Sequence, residues 1–152
     1  KNFTIIVPER WEVIENNSFI SNVPKDTVVA FRNDVKNEVF TSNVNVSQTA
    51  LEKEILSSDF GKGSLKITKD TIVNFKEISG QEFEYNNNGT NIPAYVAEFE
   101  GKSTASGPIV HFKQVFIVKG KTAYTITAAY TPTEAENVVK TTDEMLNSLT
   151  LN

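Results

Sequence analysis

One histidine is the main candidate for acid–base chemistry in this chain. His111 is the only imidazole among 152 residues, and the chain has no cysteine. A general base needs a nucleophile and an orienting partner, but the sequence has no Gly-x-Ser-x-Gly motif, and Ser106 only precedes the strand that carries His111. Alternation along that strand places His111 beside Lys113, opposite the predicted core face. We therefore expect a solvated or helix-packed residue, with a contact role as the functional alternative.

Two pairs of glutamates could supply paired carboxylates. Glu82 and Glu84, like Glu98 and Glu100, alternate along strand-like segments, so each pair shares a face at a separation of about 7 Å. That separation suits glycoside hydrolysis. Alternating glutamates on a half-exposed strand also keep a sheet soluble, which is the simpler interpretation. We predict no catalytic residue and keep a carboxylate-dependent hydrolase that uses Glu98 and Glu100 as an alternative.

Three polar segments carry weaker signals for bound ions. Asn33-Asp34 and the asparagines at 86–88 offer oxygen atoms to Ca²⁺ but lack the EF-hand spacing, so we predict turns. Residues 61–64 (GKGS) lack the spacing of a phosphate-binding loop and are predicted to link two helical pieces. We expect no metal and no cofactor.

Composition excludes several classes of protein. A chain without cysteine has no disulfides, thiolate zinc site or cysteine nucleophile. The formal charge of −4, with Lys62, Lys66, Lys69 and Lys76 interleaved with acidic residues, argues against nucleic-acid binding. The length predicts one domain over residues 1–152.

The sequence also bears on where the protein acts. Its apolar runs are far shorter than the roughly 20 residues of a membrane span. The chain opens at Lys1-Asn2 without a signal peptide, and we interpret it as either a processed or a truncated chain. An asparagine-rich composition that favours lysine over arginine is typical of secreted or surface domains of low-GC bacteria.

Alternating patterns predict strands over residues 3–7, 27–32, 38–46, 75–78, 82–85, 92–100, 109–119 and 122–130. Turns are predicted at residues 16–18, 33–34, 86–89 and 120. Thr49 and Glu52 form a capping box that predicts a helix start, with an interruption at residues 57–61 and a second helical piece over 63–73. Thr131 and Glu134 predict the start of an amphipathic closing helix that ends at Leu149. This order predicts an α+β fold, an antiparallel sheet with helices on it.

Three segments resemble PsbP-like domains. Residues 3–11 (FTIIVPERW) resemble the opening strand, proline and tryptophan, residues 115–127 resemble the central hairpin, and residues 131–149 resemble the closing helix of that family. The resemblance implies the PsbP/Mog-like fold, in which helices flank an antiparallel sheet on both faces. Its members include the extrinsic photosystem II protein of chloroplasts, a Ran-binding nuclear factor and bacterial exported lipoproteins, and they are mostly binding or assembly modules without known catalysis.

The bacterial lipoproteins of that family resemble the chain best. The likeness implies a non-enzymatic, extracytoplasmic module, attached to a membrane only through a possible lipid anchor outside this chain. We expect a monomer that binds a protein partner, with Trp11, His111 and Lys113 as contact residues. Trp11 is included because a loop aromatic beside a sheet can serve an interface. A carrier of a small apolar ligand, held between the sheet and the closing helix, is a further alternative.

Overall fold

Alternating apolar and polar residues form the strands of this protein, and two amphipathic segments form its helices. The computed structural model describes residues 3–15 and 26–152, so the turn predicted at residues 16–18 lies outside the described residues. The described elements are β1 (Phe3–Thr4), β2 (Glu12–Glu15), β3 (Thr27–Arg32), β4 (Asn43–Ala50), α1 (Ser57–Thr71), β5 (Val73–Asn87), β6 (Thr90–Lys102), β7 (Val110–Lys119), β8 (Thr122–Tyr130), α2 (Glu136–Leu146) and β9 (Thr150–Leu151).

The longer strands form one antiparallel sheet. Within the described ranges, seven strands lie in the order β2–β3–β4–β8–β7–β6–β5, and β1 pairs separately with β9. The β5–β6 hairpin turns through Asn88 and Gly89, both at positive φ, as an Asn-Gly turn predicts. The α+β class with an antiparallel sheet is confirmed.

Each face of the sheet packs on one helix. α2 contacts β4 and β8, where Val44, Ile126 and Leu146 belong to the larger apolar cluster. α1 contacts β5, β6 and β7 on the opposite face, where Leu65 and Phe116 belong to a smaller cluster. Helices on both faces are therefore confirmed.

The prediction that His111 lies opposite the core face is wrong, because both faces of β7 carry an apolar layer. Val115 and Ile117 share the α2 face with His111 and are buried. Phe112 and Phe116 pack on the α1 side. His111 is consequently a residue of the α2 face, with only 16% of its side chain exposed.

The predicted helix start at Thr49 and Glu52 is wrong. Thr49 lies in β4, opposite Ala123 of β8. Pairing with β3 and β8 satisfies the backbone of β4 and buries Val44 and Val46. This tertiary pairing outweighs a local capping signal, which is worth about 1 kcal/mol.

Residues 57–61, predicted to interrupt a helix, form the first turn of α1. The Ser57 hydroxyl donates to Pro93 O at 3.0 Å and accepts the Val118 N–H at 2.9 Å, so one side chain joins the helix to β6 and β7. Gly61 faces the rings of Tyr95 and Phe116, where a larger residue would push the helix off the sheet. The linker predicted at residues 61–64 is therefore helical, as is most of the predicted second piece over 63–73.

The loop between β3 and β4 is longer than predicted. The strand expected over residues 38–46 begins only at Asn43, because side-chain oxygens of Asn33 and Asn37 accept N–H groups of their own loop. Such local hydrogen bonds compete with strand pairing. The turn predicted at residues 33–34 is confirmed, and it opens a loop that lasts to Ser42.

The closing helix is shorter at both ends than predicted. Thr131 and Glu134 do not cap α2, whose N-cap is Ala135. The Glu134 carboxylate instead accepts hydrogen bonds from the Ala135 N–H and from the Ser42 hydroxyl. A contact with the β3–β4 loop thus replaces the predicted capping box.

The two ends of the chain pair with each other, which was not predicted. The strand predicted over residues 3–7 is only two residues long, and Phe3 lies opposite Leu151. The Ile6 N–H also donates to the Ser148 hydroxyl at 3.0 Å. In the described part of the chain, neither helix is long and apolar enough to span a membrane.

Candidate functional site

His111 lies between two carboxylates of the neighbouring strand. Glu100 of β6 is directly opposite His111 in the register, and Glu98 is opposite Lys113. His111 Nε2 lies 2.9 Å from Glu98 Oε1, and His111 Nδ1 lies 3.5 Å from Glu100 Oε2. The two glutamates share one face, as predicted, and the structure brings them to the histidine, which the sequence analysis did not foresee.

Tyr130 of β8 covers one side of the histidine ring. It is opposite His111 in the register, and the two rings stack with centroids 5.1 Å apart and planes 18° apart. Burial raises the pKa of Tyr130 to about 12, and the negative charges of Asp143 and Glu98 act in the same direction. The phenol is therefore protonated at neutral pH, so it can donate a hydrogen bond but cannot act as a base.

Lys113 connects this group to α2. Its Nζ lies 3.0 Å from Asp143 Oδ1, and the two side chains are 27% and 40% exposed. An ion pair at this exposure contributes no more than about 1 kcal/mol. It links β7 to α2.

The His111 cluster consists of Glu98, Glu100, His111, Lys113, Tyr130 and Asp143. Both nitrogens of the ring face carboxylates, and within the described ranges neither has a hydroxyl partner. No group of three or more His, Asp or Glu residues in those ranges is arranged to hold a metal ion. In the described part of the chain, the imidazole therefore has no hydroxyl to activate, and the cluster links β6, β7, β8 and α2.

Trp11 lies elsewhere, in a cleft of about 630 Å³ between two loops and α2. One wall is the chain before β2, another is the loop after β3, and the third is α2 with the residues before it. We call this the Trp11 cleft. It is lined by Pro8, Glu9, Arg10, Trp11, Asn33, Asp34, Val35, Lys36, Asn37, Glu134, Ala135, Asn137, Val138 and Thr141.

Apolar side chains are exposed in and around the Trp11 cleft. Trp11 is half-buried and packs on the larger apolar cluster. Val35 lines the cleft and is 67% exposed, as is Val39 on the same loop, while Val13 on β2 is 57% exposed. In the described structure, more than half of each of these three valines is therefore open to solvent.

Ion pairs order the loop that forms one wall of the cleft. Arg10 Nε lies 3.0 Å from Asp34 Oδ2. Glu12 Oε1 lies 2.8 Å from Lys36 Nζ, and Glu12 Oε2 lies 2.7 Å from an Arg32 nitrogen. Hydrogen bonds from Lys36 and Arg32 hold the pKa of Glu12 below its usual range. The β3–β4 loop is thereby held against β2.

The three predicted contact residues fall into two groups at one end of the sheet. Residues that lie opposite each other on neighbouring strands form a row across the sheet. This row runs from Glu12 of β2 through β3, β4 and β8 to Phe112 of β7. Trp11 directly precedes Glu12, and His111 directly precedes Phe112. Because β2 and β7 are four strand spacings apart in the sheet, Trp11 and His111 lie roughly 19 Å from each other. The structure therefore brings His111 and Lys113 together and places Trp11 in a separate cleft.

The loops considered for ion binding are closed by their own hydrogen bonds. Asn33 Oδ1 accepts the Val35 N–H, and the carboxylate of Asp34 pairs with Arg10. Asn86 Oδ1 accepts the Gly89 N–H at 2.7 Å. These oxygen atoms serve the turns that the sequence predicts.

Several solved structures resemble this fold. Cyanobacterial PsbP (CyanoP) from Synechocystis matches with a TM-score of 0.68 and 12% identity over 99% of this chain and 87% of that one. LpqN from Mycobacterium tuberculosis, described as involved in cell envelope biogenesis, matches with a TM-score of 0.66 and 10% identity over 99% and 83%. A protein of unknown function from Pseudomonas aeruginosa matches with a TM-score of 0.64 and 13% identity over 91% and 94%.

The fold is PsbP-like. At these identities the likeness establishes the arrangement of sheet and helices, and it assigns no activity. No protein-family model matches the sequence, and no curated protein matches it. The predicted PsbP-like architecture is confirmed, and the role of the PsbP-like chain has to be argued from its own residues.

Proposed function

We propose that this PsbP-like chain is a non-catalytic binding module that acts outside the cytoplasm and binds a protein partner at the Trp11 cleft. The observation that carries the proposal is the cleft itself, about 630 Å³ in volume. It combines a half-buried tryptophan with a valine that is 67% exposed.

The chemistry of the Trp11 cleft is that of a protein interface. Interfaces centre on aromatic and arginine side chains and are surrounded by polar groups. Trp11 and Arg10 lie side by side in the cleft, and asparagines, Lys36 and Glu134 line it as well. A partner loop could cover Val35 and the Trp11 ring while its polar groups meet the surrounding amides.

The His111 cluster supports a non-catalytic role. Its imidazole nitrogens are directed at Glu98 and Glu100. None of those three residues lines the Trp11 cleft. A hydrolase that uses these carboxylates would need space for its substrate between them, and the imidazole occupies that space.

The packing under α2 gives no support to an apolar-ligand carrier at that place. Met145 and Leu146 are each 1% exposed, and Thr142 is fully buried. These side chains fill the layer between α2 and the sheet that a carried ligand would have to occupy.

Two observations support a location outside the cytoplasm. LpqN, which shares the fold, is described as involved in cell envelope biogenesis. The chain lacks cysteine and uses far more lysine than arginine, a composition typical of exported bacterial domains. Fractionation of the cells that produce the protein tests this part: we expect it in the envelope or medium, and recovery in the cytoplasm would contradict it.

Site-specific photocrosslinking tests the partner-binding part. A photoreactive residue at Val35 should give one discrete protein adduct in the producing cells. The same residue at Ile67 of α1, which is 70% exposed on the opposite face, is the matched control and should give none. Trp11→Ala combined with the Val35 probe should reduce the adduct at least about fivefold, a loss of about 1 kcal/mol. Equal labelling from both positions, or an adduct unaffected by Trp11→Ala, would contradict the proposal.

A further inference from the structure

The α1 face of the sheet carries a second cleft of different chemistry. We propose that it binds a small anionic amphiphile, a molecule with a flat apolar body and one anionic head group. The cleft measures about 560 Å³, a volume typical of small-molecule sites. We call it the lysine cleft, and its lining residues are Lys62, Gly63, Leu65, Lys66, Lys69, Phe75, Glu77 and Tyr95.

Three ammonium groups line one side of the lysine cleft. Lys62, Lys66 and Lys69 are spaced by four and three residues along α1, so they project from one face of the helix. Their interleaving with acidic residues along the sequence argued against nucleic-acid binding. Asp59 and Asp70 lie three and four residues from Lys62 and Lys66 on the same helix, but neither aspartate lines the cleft.

None of these lysines takes part in an ion pair among the described residues. Within the described residues, no carboxylate lies within 4.0 Å of their ammonium groups, whereas Lys36 and Lys113 are paired. Lys62 Nζ lies 5.9 Å from the centroid of the Tyr95 ring. Glu77 is the one acidic residue that lines the cleft. A local positive charge therefore persists on a chain of net charge −4.

The other side of the lysine cleft is apolar and aromatic. Leu65 and Tyr95 are 7% and 6% exposed, and Phe75 is half-buried, with its ring centroid 5.1 Å from that of Phe99. A flat apolar group can lie on Phe75 and Leu65 while its head group reaches the lysines. Neither a purely apolar ligand nor a simple inorganic anion would use both halves of this surface.

The geometry favours a small molecule over an acidic peptide strand. Such a strand would have to pair with the outer edge of β5. The register of β5 shifts between Val73 and Lys76 and again between Glu77 and Ser79. Irregularities of this kind hinder the addition of a further strand, and they lie beside Phe75 and Glu77 of the cleft.

Titration with 2-naphthoate, followed by amide chemical shifts in nitrogen–proton correlation spectra, tests the proposal. We expect one site with Kd below about 1 mM, and the largest shifts at Gly63, Leu65 and Phe75. The neutral analogue 2-naphthalenemethanol should bind at least about tenfold more weakly, because it lacks the charge that the lysines complement.

Two triple variants provide the matched comparison. Lys62→Gln, Lys66→Gln and Lys69→Gln together should weaken naphthoate binding at least about tenfold. Lys53→Gln, Lys121→Gln and Lys140→Gln together make the same change in net charge at exposed positions outside the cleft and should change Kd less than about twofold. Trp11→Ala should leave Kd unchanged, which separates this site from the Trp11 cleft.

Three results would overturn the proposal. The first is equal binding of the charged and neutral naphthalenes, and the second is an equal effect of the two triple variants. The third is binding of a polyglutamate peptide at these residues without any response to naphthoate, which would assign the cleft to an acidic protein segment.

Discussion

Each nitrogen of the His111 ring faces a carboxylate. A side chain capable of acid–base catalysis is therefore used here to join neighbouring strands. Glu98 and Glu100 hold the ring from β6, and Tyr130 stacks on it from β8. Tyr85 also joins two elements, at a more deeply buried position on the α2 face. Its hydroxyl lies 2.9 Å from Leu149 O and 3.1 Å from Leu146 O, at the end of α2.

Replacing Tyr85 by phenylalanine should lower the free energy of unfolding by about 1–2 kcal/mol, because buried carbonyl oxygens lose their donor while the ring still fills its space. Urea unfolding measures the change. Tyr95→Phe is the control, since that hydroxyl has no hydrogen bond among the described residues, and it should change the free energy by less than about 0.5 kcal/mol. Equal effects of the two substitutions would show that the hydroxyl of Tyr85 contributes nothing.

Alkaline pH should destabilise the protein through the same side chain and Tyr130. Burial raises the pKa of each from 10.0 to about 12. As the pH rises, the unfolded chain releases these protons at a lower pH than the folded chain. The two tyrosines therefore contribute their full stabilisation below pH 10, and this part of the free energy of unfolding is lost as the pH rises to about 12. Urea unfolding at a series of alkaline pH values checks this. Tyr85→Phe should make the decline shallower, and an unchanged slope would contradict the assignment.

At the scale of elements, close approach rather than helix propensity decides where α1 lies. Gly61 and Gly63 are both in the helix, yet only Gly61 faces the sheet. Ser57 ties the start of the same helix to Pro93 and Val118. The position of α1 in turn sets the width of the lysine cleft, which opens between this helix and β5–β6.

Gly61→Ala should destabilise the protein by about 1–3 kcal/mol. A Cβ there would lie 2.7 Å from Tyr95 Cδ2 and 3.0 Å from Phe116 Cδ2. Gly63→Ala meets no atom within 4 Å and should stabilise the helix by about 0.5–1 kcal/mol. Thermal or urea unfolding of the two variants checks the opposite signs, and a stabilising Gly61→Ala would mean that α1 does not approach the sheet so closely.

At the scale of the whole molecule, one sheet separates two clefts of different chemistry. The Trp11 cleft lies at one end of the α2 face and is surrounded by amides and ion pairs. The lysine cleft lies on the α1 face, and its lysines form no ion pair with any residue that the structure describes. Pairing of β1 with β9 brings the two ends of the described chain together next to α2.

Leu151→Ala should lower the free energy of unfolding by about 2–4 kcal/mol, because this side chain is 4% exposed in the larger apolar cluster. It should also accelerate amide hydrogen exchange along β1. Ile6→Ala is the control at the same end of the molecule, and since Ile6 is 73% exposed it should cost less than about 0.5 kcal/mol. Similar losses from both substitutions would contradict the role of β9 in anchoring the termini.

Local patterns were enough to predict the class and most strands of the sheet. β3, β6, β7 and β8 follow from alternation, and the turn at Asn88 and Gly89 follows from residues that tolerate positive φ. β5 is one continuous strand where two were predicted, over residues 75–78 and 82–85, and β2 was not predicted. Capping signals were less reliable. Thr49 and Glu134 match a helix start but make strand and loop contacts instead, because a long-range partner contributes more than a single cap.

The sequence by itself determined the α+β class, the antiparallel sheet and the absence of cysteine chemistry, because alternation, turn residues and composition act over a few neighbouring residues. Only the tertiary structure decided that Glu98, Glu100 and His111 meet, that Trp11 lies roughly 19 Å from His111, and that three lysines of α1 line one side of a cleft. Those relations depend on strand order and on which helix covers which face. Both are set by the burial of side chains far apart in the chain, so no local spacing encodes them.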